Sequence, residues 1–206
     1  MNIAIVGAGG HGRVVADILS ALGTPASGFF DPDPLLPNVL GSDDDAVKLI
    51  ALHSITHFVM GVGSVRGGAG LRARLFSTFS DMGLTSLTVV HPRAVIAEGV
   101  CLGNGTVVMA GAILNTGVKT GENVIVNTGS VIDHDGRIGA HSHIAPGCIL
   151  SGDVFVGNHC LLGTGTIARH GARVGDGATI GAGSLLLGQY AAGGTFFGSP
   201  AHRYDL

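Results

Sequence analysis

From Val90 to Leu185 an aliphatic residue returns at every sixth position without a slip in register. The series runs Val90, Ile96, Leu102, Val108, Leu114, Thr120, Val126, Ile132, Ile138, Ile144, Leu150, Val156, Leu162, Ala168, Val174 and Ile180. Only Thr120 and Ala168 depart from Val, Ile or Leu. The fifth place of each hexad is small or short, as at Ala94, Ala112, Ser130, Cys148, Cys160 and Ser184. A helix returns its apolar face after three and four residues, so it cannot produce a period of six. One large and one small inward side chain per hexad, with glycines at the corners, predicts one flat side of a parallel β-helix coil. With three hexads to a coil, residues 18 apart stack at the strand spacing of about 4.8 Å.

The first 88 residues show a different rhythm. Asn2 to Val6 is a short apolar run suited to a buried parallel strand. It enters the turn Gly7-Ala8-Gly9-Gly10-His11-Gly12, after which Arg13 to Leu22 carries Val14, Val15, Ile18 and Leu19 at helical spacing. Strand, glycine turn and helix are the context in which glycines bring backbone N–H groups to a phosphate. Further strands are predicted at Ala26 to Phe30, ending at Asp31, and at Thr56 to Gly61, leading into Gly61-Val62-Gly63-Ser64. Leu71 to Met82 reads as a helix with Arg72 and Arg74 on its polar side. Gly9 to His11, Asp31 and Gly63 then converge at the strand ends, where open α/β sheets bind ligands. Eighty-eight residues make one mononucleotide-sized half of a dinucleotide fold, which suits a mononucleotide or a nucleotide-linked sugar better than NAD. The chain thus divides into residues 1–88, a β-helix over 89–190 and a tail over 191–206.

Composition sharpens this picture. The 36 glycines would suggest low complexity if scattered, but they fall on the repeat period and read as turns. A formal net charge of −3 gives no sign of a nucleic-acid or anionic-membrane surface. No apolar run reaches the roughly 20 residues needed to span a bilayer. Three cysteines, two at inward hexad positions, fit a reducing compartment, and the expected location is cytoplasmic.

Stacking by 18 says which polar residues meet. His134 and His170 share one ladder, with Gly152 between them and Thr116 on the far side of His134. His141 and His159 form a second ladder, expected to be a solvated surface pair. Asn127, Asp133, His134 and Asp135 form a polar cluster in a chain with few charges. An imidazole oriented by an adjacent carboxylate is what a general base needs; the same cluster could also be a solvated corner.

Asn127-Thr128-Gly129-Ser130-Val131-Ile132-Asp133-His134-Asp135 resembles the trimeric left-handed β-helix acetyltransferases of bacterial surface sugars. These include the UDP-4-amino-sugar (bacillosamine) and perosamine N-acetyltransferases and the sialic-acid O-acetyltransferase type. The likeness extends to the front glycine turn, the hexads and Gly198-Ser199-Pro200-Ala201. It implies a left-handed prism, a homotrimer with active sites between subunits, and acetyl-CoA as co-substrate without a metal. It implies His134 as general base supported by Asp135, with acetyl-CoA contacted by His143, Gly152, Thr164 and Ala182. It places a nucleotide sugar at Gly9, Gly10, His11, Asp31 and Gly63, with Asn127 beside the substrate. The chain departs from the uridine-binding relatives at Pro32, where they carry a second acid, at Ser64, and in an apparent insertion at Arg66-Gly67-Gly68-Ala69-Gly70.

The expected activity is transfer of acetyl to the amine of a nucleotide-linked 4-amino sugar within a ternary complex. O-acetylation of a sugar hydroxyl is the second reading. A γ-type carbonic anhydrase, suggested by His134, His141 and His143, and a non-catalytic binding protein are further alternatives.

Overall fold

The computed structural model describes residues 1–63 and 69–204, so Ser64 and Arg66 to Gly68 lie outside the described residues. The N-terminal part is a five-stranded parallel sheet. Its strands are β1 (Ile3–Val6), β2 (Gly28–Phe30), β3 (Val39–Gly41), β4 (His57–Met60) and β5 (Thr85–Ser86), in the order β3-β2-β1-β4-β5. Helices α1 (Gly10–Ala21), α2 (Ala46–Leu52) and α3 (Ala69–Asp81) connect or flank them. The strands named from sequence are present, each slightly shorter than its apolar run. β3, α2 and β5 were not legible, because they are short and carry no sustained periodicity.

Register brings Val6 beside both Phe30 and Met60, so the chain leaves all three strands at one edge. Helix α1 packs very close to that edge. A Cβ on Gly12 would lie 2.0 Å from the Gly7 carbonyl oxygen, so only glycine fits there.

The remainder is a three-sided β-helix, and the 18-residue stacking holds throughout its centre. One face stacks Val89–Val90, Val107–Val108, Ile125–Val126, His143–Ile144, Leu161–Leu162 and Thr179–Ile180. The second stacks Val95–Ile96, Ile113–Leu114, Val131–Ile132, Ile149–Leu150, Ile167–Ala168 and Leu185–Leu186. The third stacks Lys119–Thr120, Arg137–Ile138, Phe155–Val156, Arg173–Val174 and Gln189–Tyr190. Pairing such as Ile125 with His143 and Arg137 with Phe155 gives the period directly. The last coil is two residues shorter, since Arg173 pairs with Gln189. Thr195–Gly198 then adds parallel to Thr179–Ile180 and folds back on Ala201–Arg203, so the chain stays on the first face to that point.

Inside the prism, Leu114, Ile132, Ile144, Leu150 and Leu162 are fully buried. From Thr106 to Ser184 the small fifth positions are buried as well, and their hydroxyls are satisfied by backbone carbonyls: Ser130 donates to Ala145 and Ser142 to Gly157. A narrow column cannot hold two bulky side chains per hexad, and a buried hydroxyl needs a partner; Ser meets both conditions. The N-terminal part packs on the first face, where Val15, Ile18 and Leu19 of α1 share a core with Val89, Val107 and Met109.

Candidate active site

The prism turns its corners through left-handed backbone. Positions 99 to 183 in steps of six all have positive φ, and ten of these fifteen are glycine. The exceptions are Asn123, Asp135, His141, Asp153 and His159. A side chain at such a position costs conformational energy, so each exception asks for a reason. At Asp135 the reason is His134. The Asp135 Oδ2 lies 2.9 Å from His134 Nδ1, and this hydrogen bond chiefly raises the imidazole pKa above its ordinary value. The other ring nitrogen lies over Gly152: a Cβ there would be 2.3 Å from His134 Nε2. The ladder expected from sequence is therefore present, with the His170 ring 6.1 Å from that of His134. Below His134, Asp133 accepts from the Asn115 amide at 2.8 Å and from the His134 N–H at 2.7 Å, which hold its pKa low. Asn115 was not singled out in sequence, although its 18-residue offset from Asp133 carried the signal. Next along the corner, Asp153 pairs with Arg173 at 2.7 Å, which holds its pKa low.

The other expected site residues lie elsewhere on the chain. Thr164 and Ala182 are exposed on the corner between the first and second faces, stacked so that the Gly183 N–H donates to the Thr164 carbonyl. Asn127 sits at the same corner and its amide contacts His143 Nε2 at 3.0 Å. His143 is buried on the first face, 8% exposed. His134 and Gly152 occupy the corner between the second and third faces. Between the two corners the second face presents Val95, Ile113, Val131, Ile149, Ile167 and Leu185 outward, with Ile149 and Ile167 47% and 46% exposed. On one chain the two groups of expected site residues are therefore separated by an aliphatic strip. His134, His141 and His143 do not converge within it.

At the sheet edge, Gly9, Gly10, His11, Asp31 and Gly63 do come together. Gly9 caps α1 without a side chain, and Gly9 and Gly10 face open space. A Cβ on Gly63 would lie 3.6 Å from that of His11, so the two glycine turns touch. Asp31 accepts from the Ala8 N–H at 2.7 Å and from the Asp33 N–H at 3.0 Å, bracing the first turn. Beside it opens a cavity of about 380 Å³ whose walls include Gly7, Phe30, Pro32, Asp43 and Arg74. An α-helix N-terminus, backbone donors and one arginine beside an apolar wall suit a phosphorylated ligand.

Two expectations are corrected here. Arg72, placed on the polar side of its helix, is completely buried: α3 lies between sheet and prism and has no solvent face at that position. His141 is not a solvated partner of His159. Its ring stacks on His159 at 4.8 Å, but it is held by Asn123 at 3.0 Å and by the edge of Phe76 from α3, and burial lowers its pKa.

Comparison with known proteins agrees with this geometry. The PglD N-terminal domain matches residues 2–76, and the bacterial transferase hexapeptide (six repeats) matches residues 153–188. No curated protein matches the chain. The acetyltransferase domain of PglB from Neisseria gonorrhoeae, solved in complex with acetyl coenzyme A, is 32% identical over 98% of each chain with a TM-score of 0.88. PerB from Caulobacter crescentus, solved with CoA and GDP-perosamine, is 32% identical with a TM-score of 0.93, covering 100% of this chain and 98% of that one. WeeI from Acinetobacter baumannii, 24% identical with a TM-score of 0.87 over 99% of this chain and 100% of its own, shares the fold. The chain belongs to the family of hexapeptide-repeat sugar acetyltransferases with a PglD-type N-terminal domain, and it is an acetyl-CoA-dependent sugar acetyltransferase.

Proposed function

We propose that the protein transfers acetyl from acetyl-CoA to the amine of a nucleotide-linked 4-amino sugar, with His134 as the general base. The observation that carries this reading is the arrangement of His134. Its Nδ1–H donates to Asp135, which leaves the Nε2 lone pair over Gly152. The sugar ammonium gives one proton to solvent to become the free amine. His134 takes a second from the nitrogen as it adds to the thioester carbonyl, and a positioned base contributes roughly 10²- to 10⁴-fold. The Gly152 N–H, on the next coil, is the donor for the oxyanion that forms as the amine adds to the carbonyl. Collapse then expels the CoA thiolate, and the proton held by His134 can pass to it.

The two half-sites support a homotrimer. If the aliphatic strip of one prism is covered by its neighbour, the His134 corner of one chain meets the Thr164 and Ala182 corner of the next. Acetyl-CoA lies in that groove, with Asn127 and His143 at its inner wall. The nucleotide occupies the sheet edge at Gly9, Gly10, His11, Asp31 and Gly63. PerB, bound to GDP-perosamine, and the PglB domain, bound to acetyl coenzyme A, support both assignments by similarity.

The test is His134→Ala assayed with UDP-, GDP- and dTDP-linked amino sugars. Turnover should fall by at least roughly 10²-fold, with acetyl-CoA affinity by calorimetry nearly unchanged. A fully active variant would remove His134 from the chemistry, and a product acetylated on oxygen would replace the amine by a hydroxyl as acceptor.

A further inference from the structure

The exceptions among the left-handed corners are not all at the catalytic ladder. Asn123, His141 and His159 stack on the corner between the third and first faces, far along the prism's perimeter from Asp135. Asn123 and His141 meet α3 of the N-terminal part. Phe76 puts its ring edge 5.8 Å from that of His141, and so close over Gly105 that a Cβ there would lie 2.5 Å away. Arg72, one turn earlier on α3, is the largest fully buried side chain among the described residues. Its guanidinium donates to the carbonyls of Met60 and Val62, at the end of β4 and in the second glycine turn. Its Nε reaches the carbonyl of Asn123 on the prism at 3.5 Å. A planar fork holds these carbonyls from separate nitrogens in one fixed geometry, whereas a lysine ammonium gathers its three donors at a single point on a flexible stem.

Burying a charge this way is expensive. Burial pulls the Arg72 pKa down to about 9, leaving it protonated at neutral pH, and Arg72 Nη2 has no partner among the described residues. A joint made only for stability would be better built from apolar side chains, which often replace buried ions at no loss. What the arginine adds is direction, because it ties the second glycine turn to one coil of the prism.

We infer that Arg72 is a positioning residue for acetyl transfer, fixing the sheet edge that holds the acceptor relative to its own prism and so relative to the groove in which the neighbouring chain presents His134. This rests on the assignment of the acceptor nucleotide to that edge. Misplacement of about 1 Å costs on the order of 10²-fold in rate, so a loosened joint should lower kcat while both ligands still bind.

The experiment compares Arg72→Lys with Phe76→Leu, a milder change that loosens the same joint with Arg72 intact. For each, kcat with the nucleotide amino sugar is measured beside the Kd of acetyl-CoA and of the matching nucleoside diphosphate. Arg72→Lys should lose at least tenfold in kcat and Phe76→Leu a smaller factor, with both Kd values within about threefold of the parent protein. A kcat within twofold of the parent in Arg72→Lys overturns the inference. So does a loss of both affinities in proportion to kcat, which marks a merely structural role. If Arg72→Lys does not fold, a Phe76→Leu protein with parental kcat overturns it as well. A parent enzyme that acetylates no nucleotide amino sugar would instead sink the substrate assignment.

Discussion

The basicity of His134 depends on one unusual residue. Asp135 accepts a left-handed backbone, φ 61°, at a corner where ten others use glycine, and that conformation turns its carboxylate onto Nδ1. The hydrogen bond favours the imidazolium and raises the pKa. As the proposed general base, His134 works only when neutral, so the rate should fall as pH drops through that raised value. Asparagine tolerates the left-handed region but lacks the charge. Asp135→Asn should therefore shift the acidic limb of kcat/KM to lower pH and lower the plateau, read from a pH-rate profile. An unmoved limb would disconnect Asp135 from the titrating group. At this scale the residues that break the glycine period are informative: Asp135, Asp153, Asn123 and His141 all sit at such breaks and all make specific contacts, although only Asp135 and His141 stood out in the sequence. Arg72 gave no such sign, because a helix pattern records spacing and not what packs outside the helix.

The coil elements obey a simple steric rule. Stacking at the strand spacing leaves some glycines facing the backbone of the next coil and others facing solvent. A Cβ on Gly139 would lie 2.5 Å from the Gly157 carbonyl carbon, whereas one on Gly165 meets nothing within 4 Å. Gly165 has φ 71°, so Gly165→Ala bears only the left-handed penalty, about 1–2 kcal/mol. Gly139→Ala must separate two coils and should cost more, seen as a larger drop in the urea midpoint. Equal midpoints would mean that the coils part easily. The hexad made the coils, their register and their inward residues readable from the chain. β3 and α2 were not readable: three residues with half-exposed side chains, and a short helix after Asp43-Asp44-Asp45, owe their form to the sheet they join.

At the scale of the whole molecule, two surfaces stand out. The outward strip of Ile149 and Ile167 is a patch of the kind that protein contacts usually cover, and the proposed trimer would cover it on every copy by closed cyclic symmetry. Ile149→Glu should shift the assembly towards monomer in sedimentation and abolish turnover, since each His134 corner would lose its facing half-site. A monomeric variant with full activity would exclude a site shared between subunits. The other surface is the joint between sheet edge and prism. Burial there, with Arg72 and His143 nearby, lowers the His11 pKa from 6.5 to about 3. The unfolded chain takes up that proton near 6.5 and the folded chain only near 3, so stability is present above this window and is lost as pH falls through it. His11→Asn should flatten the acid side of a thermal-melting profile between those values; an unchanged profile would assign the acid sensitivity elsewhere.

By itself the sequence determined the prism, the stacking of His134 on Gly152 and the meeting of the glycine turns with Asp31. These follow from periods and from strand ends, which are local properties of the chain. Only the tertiary structure decided that the expected site residues divide between different corners, that His143 and His141 are enclosed, and that Arg72 is buried between two bodies. Those depend on packing between parts distant in sequence, where burial and partner are set by a surface that no period along the chain encodes.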